Sequence, residues 1–257
     1  YAGDAIPQCN AGIAISIADK LDTLVAIFGV GQIPSGSKDP FALRRSALGI
    51  LRIIIEKDLD LDLEFLINEA SGLLGENITN SATKENVFDF ILSRYRDWYK
   101  QEGVDTDVII AVESRKPTKP RDFNQRVKAI AQFKLDPAAV ALAAANKRVS
   151  NILKKASSIS NKEMRDDLLL LDAEKALAIA VKQSGQKASL LFTKDQYSEG
   201  LELLATLRPE VDQFFDEVMV MDENEEIRDN RTLSSSSRHF GPILLSQPIR
   251  HANENYG

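Results

Sequence analysis

Few residues of this 257-residue chain could do chemistry, and their spacing narrows what that chemistry would be. Asp19 and Asp22 lie one helical turn apart and are a candidate carboxylate pair. No metal partner or second acidic cluster stands beside them in the sequence, so a place on a helix surface is the simpler reading. Both histidines, His239 and His251, fall in a polar C-terminal stretch. A Ser-His-Asp triad or a His-ligated metal is therefore not credible in the folded part. Cys9 is the only cysteine, which excludes an intramolecular disulfide and suits a reducing compartment. Residues 29–38 hold three glycines, but their spacing fits neither dinucleotide-binding nor P-loop fingerprints and no strand precedes them. That loop reads as a connector between helices.

The cations are more informative than the acids. Residues 115–155 contain eleven basic residues against Asp122 and Asp136, a balance of +9, while residues 195–231 carry twelve acids and three arginines, a balance of −9. The whole chain is −6. Such polarity suits a cationic face for a polyanion; mutual neutralisation of the two blocks in the fold is an equal alternative. Arg115, Lys116, Lys119 and Arg121 sit in a segment with two prolines, the best candidate linker. Lys147, Arg148, Lys154 and Lys155 cover one side of a helix whose apolar stripe is Leu142, Ala145, Val149, Ile152 and Ala156. Both groups are candidate phosphate contacts. Arg45, Gly49 and Arg52 share one helix face and form a candidate packing or docking surface. Tyr95, Trp98 and Tyr99 could stack on bases, but their stripe continues an aliphatic one, which favours a core role.

The elements that must position these residues are all helical, and the expected fold class is all-α. Ile13, Ile17, Leu21, Leu24 and Phe28 step by three and four, with Asn10 as a candidate N-cap. Asp39-Pro40 is expected to open the next helix as N-cap and first helical residue. Further helices are expected over residues 61–74, 84–99, 104–113, about 123–133, from 136–137 onwards, 164–181 (followed by Gly185) and 197–207. Residues 222–231 read as a charged helical turn. The domain expectation is a helical domain over 1–113, a basic linker over 114–121, a second helical domain over 122–231 and a disordered tail over 232–257, where the helical period is lost. No apolar run approaches the ~20 residues that span a bilayer. The chain begins at Tyr1 rather than Met and reads as a fragment.

Several words of this sequence resemble the β subunit of bacterial-type glycyl-tRNA synthetase. They are Ala18-Asp-Lys-Leu-Asp-Thr-Leu24, Lys38-Asp-Pro-Phe-Ala-Leu-Arg-Arg45 and Ala47-Leu-Gly-Ile-Leu-Arg-Ile53. Phe123-Asn-Gln-Arg-Val-Lys128, the run from Ala144 to Lys154, and Phe214-Phe-Asp-Glu-Val-Met-Val-Met221 are similar to that family's C-terminal DALR-like anticodon-binding domain. The resemblance covers residues 1–231 as the C-terminal portion of the subunit. It implies a cytoplasmic ATP-dependent ligase joining glycine to its tRNA as an α2β2 assembly, with no membrane partner. ATP and Mg would act in the α subunit, and no cofactor would be bound by this portion. The family also contains an HD-like helical region, in which Asp19 occupies the setting of a late metal-binding Asp. That implies a remnant of an incomplete HD site, with a metal-dependent phosphohydrolase or a non-catalytic helical interaction module as the alternative functions. After Asn230-Arg231 the sequence departs from the family's Leu-rich helix.

Overall fold

The structure is a computed structural model that describes residues 5–36, 38–140, 165–220 and 222–234. The fold is all-α; among the described residues there is no strand, only an isolated bridge between Ser35 and Lys38. Two compact units divide between Gln125 and Arg126.

The first unit is built around α1 (Asn10–Gly29), which packs against α2 (Leu43–Glu56), α3 (Leu63–Leu74) and α4 (Thr83–Leu92). Its stripe Ile13, Ile17, Leu21, Leu24 and Phe28 is buried, as the three–four spacing requires. Opposite it lie Leu43, Ala47, Ile50, Leu51 and Ile54 of α2, none more than 0% exposed. Each such fully buried large side chain contributes about 1.5–3 kcal/mol relative to exposure. Then α5 (Arg94–Gln101) and α6 (Thr106–Glu113) pack on each other. The expected helix over 84–99 is broken at Ser93, whose hydroxyl bonds the Phe90 carbonyl at 2.7 Å, drawing off an acceptor that a continuous helix would use.

The starts of α1 and α2 show how capping differs from expectation. At α1 the N-cap is Cys9, whose Sγ accepts the Gly12 N–H at 3.4 Å, and Asn10 is already helical. At α2 the helix begins at Leu43, not at Asp39-Pro40. Asp39 instead starts a β-turn with Pro40 second, closed by Ala42 N–H to Asp39 O at 3.1 Å. Its carboxylate then reaches forward to the Leu43 and Arg44 N–H groups at 2.8 and 3.0 Å. The capping chemistry is as expected, but it acts across a turn.

A further helix, α7 (Pro120–Phe133), begins in the first unit and continues in the second. Pro120 and Arg121 are therefore helical rather than linker residues, since proline's missing N–H costs nothing at a helix start. The backbone is helical again at 137–140. In the second unit α8 (Asp172–Phe192) packs on α9 (Tyr197–Ala205), α10 (Arg208–Glu217) and α11 (Glu225–Ser234). Leu177, Val181, Leu201, Leu204, Val211 and Phe214 form its core. The helix expected over 164–181 starts later and runs through Gly185 to Phe192, because packing along its length outweighs the ~1 kcal/mol penalty of one interior glycine. Residues 232–234 also correct the expectation of a disordered tail, for they complete α11. The rest of that tail lies outside the described residues.

Gly200 explains how closely α9 meets the end of α8. A Cβ there would stand 2.2 Å from the Phe192 ring.

Candidate nucleic-acid interface

The basic segment between α6 and α7 is held in place by acids of the first unit. Lys119 Nζ lies 2.8 Å from Asp60 Oδ1, Lys116 Nζ 3.2 Å from Asp89 on α4, and Arg121 Nε 2.9 Å from Asp58 Oδ1. Arg121 Nε lacks the alignment of a hydrogen bond there, so that contact is an ion pair only. Thr118 donates its hydroxyl to Asp62 Oδ2 at 2.5 Å, and its carbonyl accepts the Leu63 N–H at 2.9 Å. Asp62 at the same time caps α3 by accepting the Phe65 N–H. The hydrogen bond and charge of Lys119 hold the Asp60 carboxyl below its usual range. Arg115 is exposed, with no carboxylate in ion-pair range among the described residues. Surface pairs of this kind contribute little and are screened by salt.

The acidic side of this edge has a sequence signal that the helical reading passed over. Asp58-Leu-Asp-Leu-Asp62 alternates with period two, the pattern of an extended segment with its charges on one side. It follows the C-terminus of α2, where Asp58 adopts a left-handed conformation with φ 52°. The Asp58 N–H bonds Ile55 O and the Leu59 N–H bonds Ile54 O, the paired bonds of a Schellman end.

The cations Lys147, Arg148, Lys154 and Lys155 lie outside the described residues. Arg126 is nearby in sequence, and its guanidinium sits 4.7 Å over the Tyr197 ring. A cleft of about 300 Å³ in the second unit is lined partly by Gln132, Phe133, Asp136, Ser198 and Glu202. Its two carboxylates make it a poor phosphate site, whereas carboxylates do accept hydrogen bonds from base amino groups.

At the face of Arg45, Gly49 and Arg52, a Cβ on Gly49 would meet Lys20 Cε at 3.0 Å. The group that approaches the backbone between the two arginines is thus the aliphatic stem of a residue on α1. Lys20 Nζ turns away to Ser16, 2.7 Å from its hydroxyl. Arg52 pairs with Glu56 at 2.8 Å and Arg45 is exposed. The aromatic trio closes a core. Tyr95 and Tyr99 are buried, and Tyr95 stacks on Phe123 with ring centroids 3.7 Å apart. Burial raises both phenol pKa values, that of Tyr95 well above normal. Trp98 lies over Tyr99 and donates its indole N–H to Glu102 at 2.7 Å. Asp19 is exposed on α1, and among the described residues no group of three or more His, Cys, Asp or Glu could hold a metal.

The most developed polar cluster was not legible from charge pattern. Arg231, read as part of a charged turn, is 5% exposed, and Glu174 is 0% exposed. The Arg231 Nε donates to Glu174 Oε1, and its Nη1 donates to Asp222 Oδ2 at 2.7 Å and to the Met219 carbonyl at 3.0 Å. Glu174 Oε2 accepts the Leu170 and Leu171 N–H groups at 2.6 and 2.7 Å. This is the backward half of a capping box at α8; Leu171 has no acceptor for the other half. Asn230 bonds both the N–H and the C=O of Arg165, at 2.7 and 2.9 Å. A signal does exist: Glu174 stands third in a helix that opens with Asp172.

Comparison with known proteins places two family models on the chain. Residues 1–114 match a model described as glycyl-tRNA synthetase beta subunit, and residues 142–237 match a DALR anticodon binding domain. Among curated relatives, the glycine–tRNA ligase beta subunit of Shewanella denitrificans is 49% identical over 252 residues, covering 96% of this chain and 36% of the relative. That of Pseudoalteromonas translucida is 50% identical over 231 residues, covering 90% and 34%. That of Pectobacterium carotovorum is 51% identical over 241 residues, covering 93% and 35%. The chain thus spans about a third of the length of these relatives.

Proposed function

Because the chain belongs to the glycyl-tRNA synthetase β-subunit family, as the C-terminal portion of that subunit, we propose that it is a tRNA-binding part of a glycine–tRNA ligase. It binds glycine tRNA for ATP-dependent glycylation carried out with an α subunit in an α2β2 assembly in the cytoplasm. ATP and Mg act at the α subunit, and this portion contributes affinity and positioning rather than a reacting group. The observation that carries this reading is the anticodon-binding match over 142–237, which contains Lys147, Arg148, Lys154 and Lys155. Those four cations, with Arg115, Lys116, Lys119 and Arg121, make the phosphate contacts. Such contacts supply sequence-independent affinity that falls as salt rises. The Arg45–Gly49–Arg52 face serves packing within the first unit.

The test is a titration of the chain with glycine tRNA across a salt series. Reversing the charges of Lys147 and Arg148 is expected to weaken binding and to reduce the salt slope by roughly two, one per lost phosphate contact. Binding and slope unchanged by that double substitution would refute the placement.

A further inference from the structure

Three acids of the first unit face the basic segment in antiparallel order. Arg121 pairs with Asp58, Lys119 with Asp60 and Thr118 with Asp62. Ascending numbers on one side meet descending numbers on the other, so the two segments run antiparallel, pinned by the Leu63 N–H to the Thr118 carbonyl. Lys116 is held separately by Asp89. The alternate leucines give the acidic stretch one charged edge: a regular row of single negative charges, which is also what a nucleic-acid backbone presents to cations.

A second observation points the same way. Asp58 occupies the left-handed position at the end of α2, with φ 52°. Glycine is the usual residue at such a helix end, and asparagine and aspartate are among the residues with a side chain that adopt the conformation most readily. Here the position carries the carboxylate that faces Arg121.

We propose that the Asp58, Asp60 and Asp62 row is an intramolecular substitute for RNA phosphates: it holds Lys119 and Arg121 extended, and RNA binds this edge by exchanging its phosphodiester groups for those carboxylates. The proposal rests on the reading of the chain as an RNA-binding part. It goes further in making the acids of the first unit competitors of RNA at this edge.

The experiment measures the affinity of the full chain for a glycine tRNA transcript at about 0.1 M salt, where the Debye length is about 10 Å. Asp58→Asn/Asp60→Asn removes the two carboxylate charges that face Arg121 and Lys119, and asparagine tolerates the left-handed backbone. Glu64→Gln/Glu69→Gln makes the same charge change on exposed residues of α3 that have no ion pair among the described residues. The aspartate double variant is expected to tighten binding about three- to tenfold, and the glutamate control less than about twofold, since bulk charge alone is screened. Lys119→Gln/Arg121→Gln is expected to weaken binding and flatten the salt slope by up to about two. Equal effects of the two acid-removing variants, weaker binding by the aspartate variant, or no loss in the Lys119/Arg121 variant would each overturn the exchange while leaving tRNA binding intact. If neither the unaltered chain nor any variant binds the transcript, the functional reading fails with it.

Discussion

Replacing Arg231 by methionine tests the buried polar cluster of the second unit most directly. The substitution keeps an unbranched side chain of similar reach in a site that is 5% exposed, so little cavity is created. What it removes is the cation that pairs with Glu174, which is 0% exposed. Losing one partner of a buried ion pair costs about 3–5 kcal/mol, because the other charge stays buried and uncompensated. The two backbone N–H groups on Glu174 Oε2 remain and continue to stabilise the carboxylate. The expected cost is therefore at the low end, about 3 kcal/mol. At 1.4 kcal/mol per decade, that is about a hundredfold rise in the opening of this region. Hydrogen exchange read by mass spectrometry over residues 170–178 and 225–231 measures it in the intact chain. Glu174→Gln in the same background removes the stranded charge yet keeps an oxygen for the Leu170 and Leu171 amides. The double variant should recover much of the loss. Exchange within threefold of the unaltered chain in Arg231→Met would refute the reasoning. So would a double variant as unstable as the sum of the singles.

Two glycines should respond in opposite senses. Gly200→Ala drives a Cβ to 2.2 Å from a ring packed at the end of α8, and thermal denaturation should show a loss of about 1–3 kcal/mol. Gly49→Ala meets only the flexible end of Lys20 at 3.0 Å, and the gain in helix propensity, up to ~1 kcal/mol, should leave it neutral or stabilised in the same assay. At the basic edge, Lys119 lowers the folded pKa of Asp60 below its ordinary 3.8. The resulting stabilisation is present above the unfolded pKa and is lost as pH falls through the lowered folded value. An NMR carboxyl titration should show Asp60 moving back up toward 3.8 in Lys119→Met; an unmoved titration would deny the pair.

Much of the helical architecture was legible because it is local. Ile13, Ile17, Leu21, Leu24 and Phe28 announce a stripe by spacing alone, and all are buried. The continuity of Tyr95 and Tyr99 with their aliphatic neighbours likewise placed them in a core rather than on a base-stacking surface. What was not legible depends on partners far apart in the chain. Glu174 and Arg231 are 57 residues apart. Their signs alone do not distinguish burial from solvation. The start of α2 was misplaced because a carboxylate can cap from beyond a turn, so Asp39-Pro40 carries the capping residues without being helical. The acidic row escaped notice for a different reason. Its period of two spans only five residues, and the search for apolar periodicity took Leu61 and Asp62 into the following helix, which starts at Leu63.

Trp98 is the sole tryptophan of the chain and belongs to the first unit. Its indole is fixed by Glu102 and lies 5.6 Å from the Tyr99 ring, so its emission reports on one cluster in one half of the molecule. Excitation above the tyrosine band therefore follows the first unit selectively. The second unit, which contains Tyr197 but no tryptophan, is silent in that channel. Fluorescence and far-ultraviolet dichroism recorded together would separate the melting of the two halves without any introduced label. A mismatch between the two curves would mark where cooperativity between them ends.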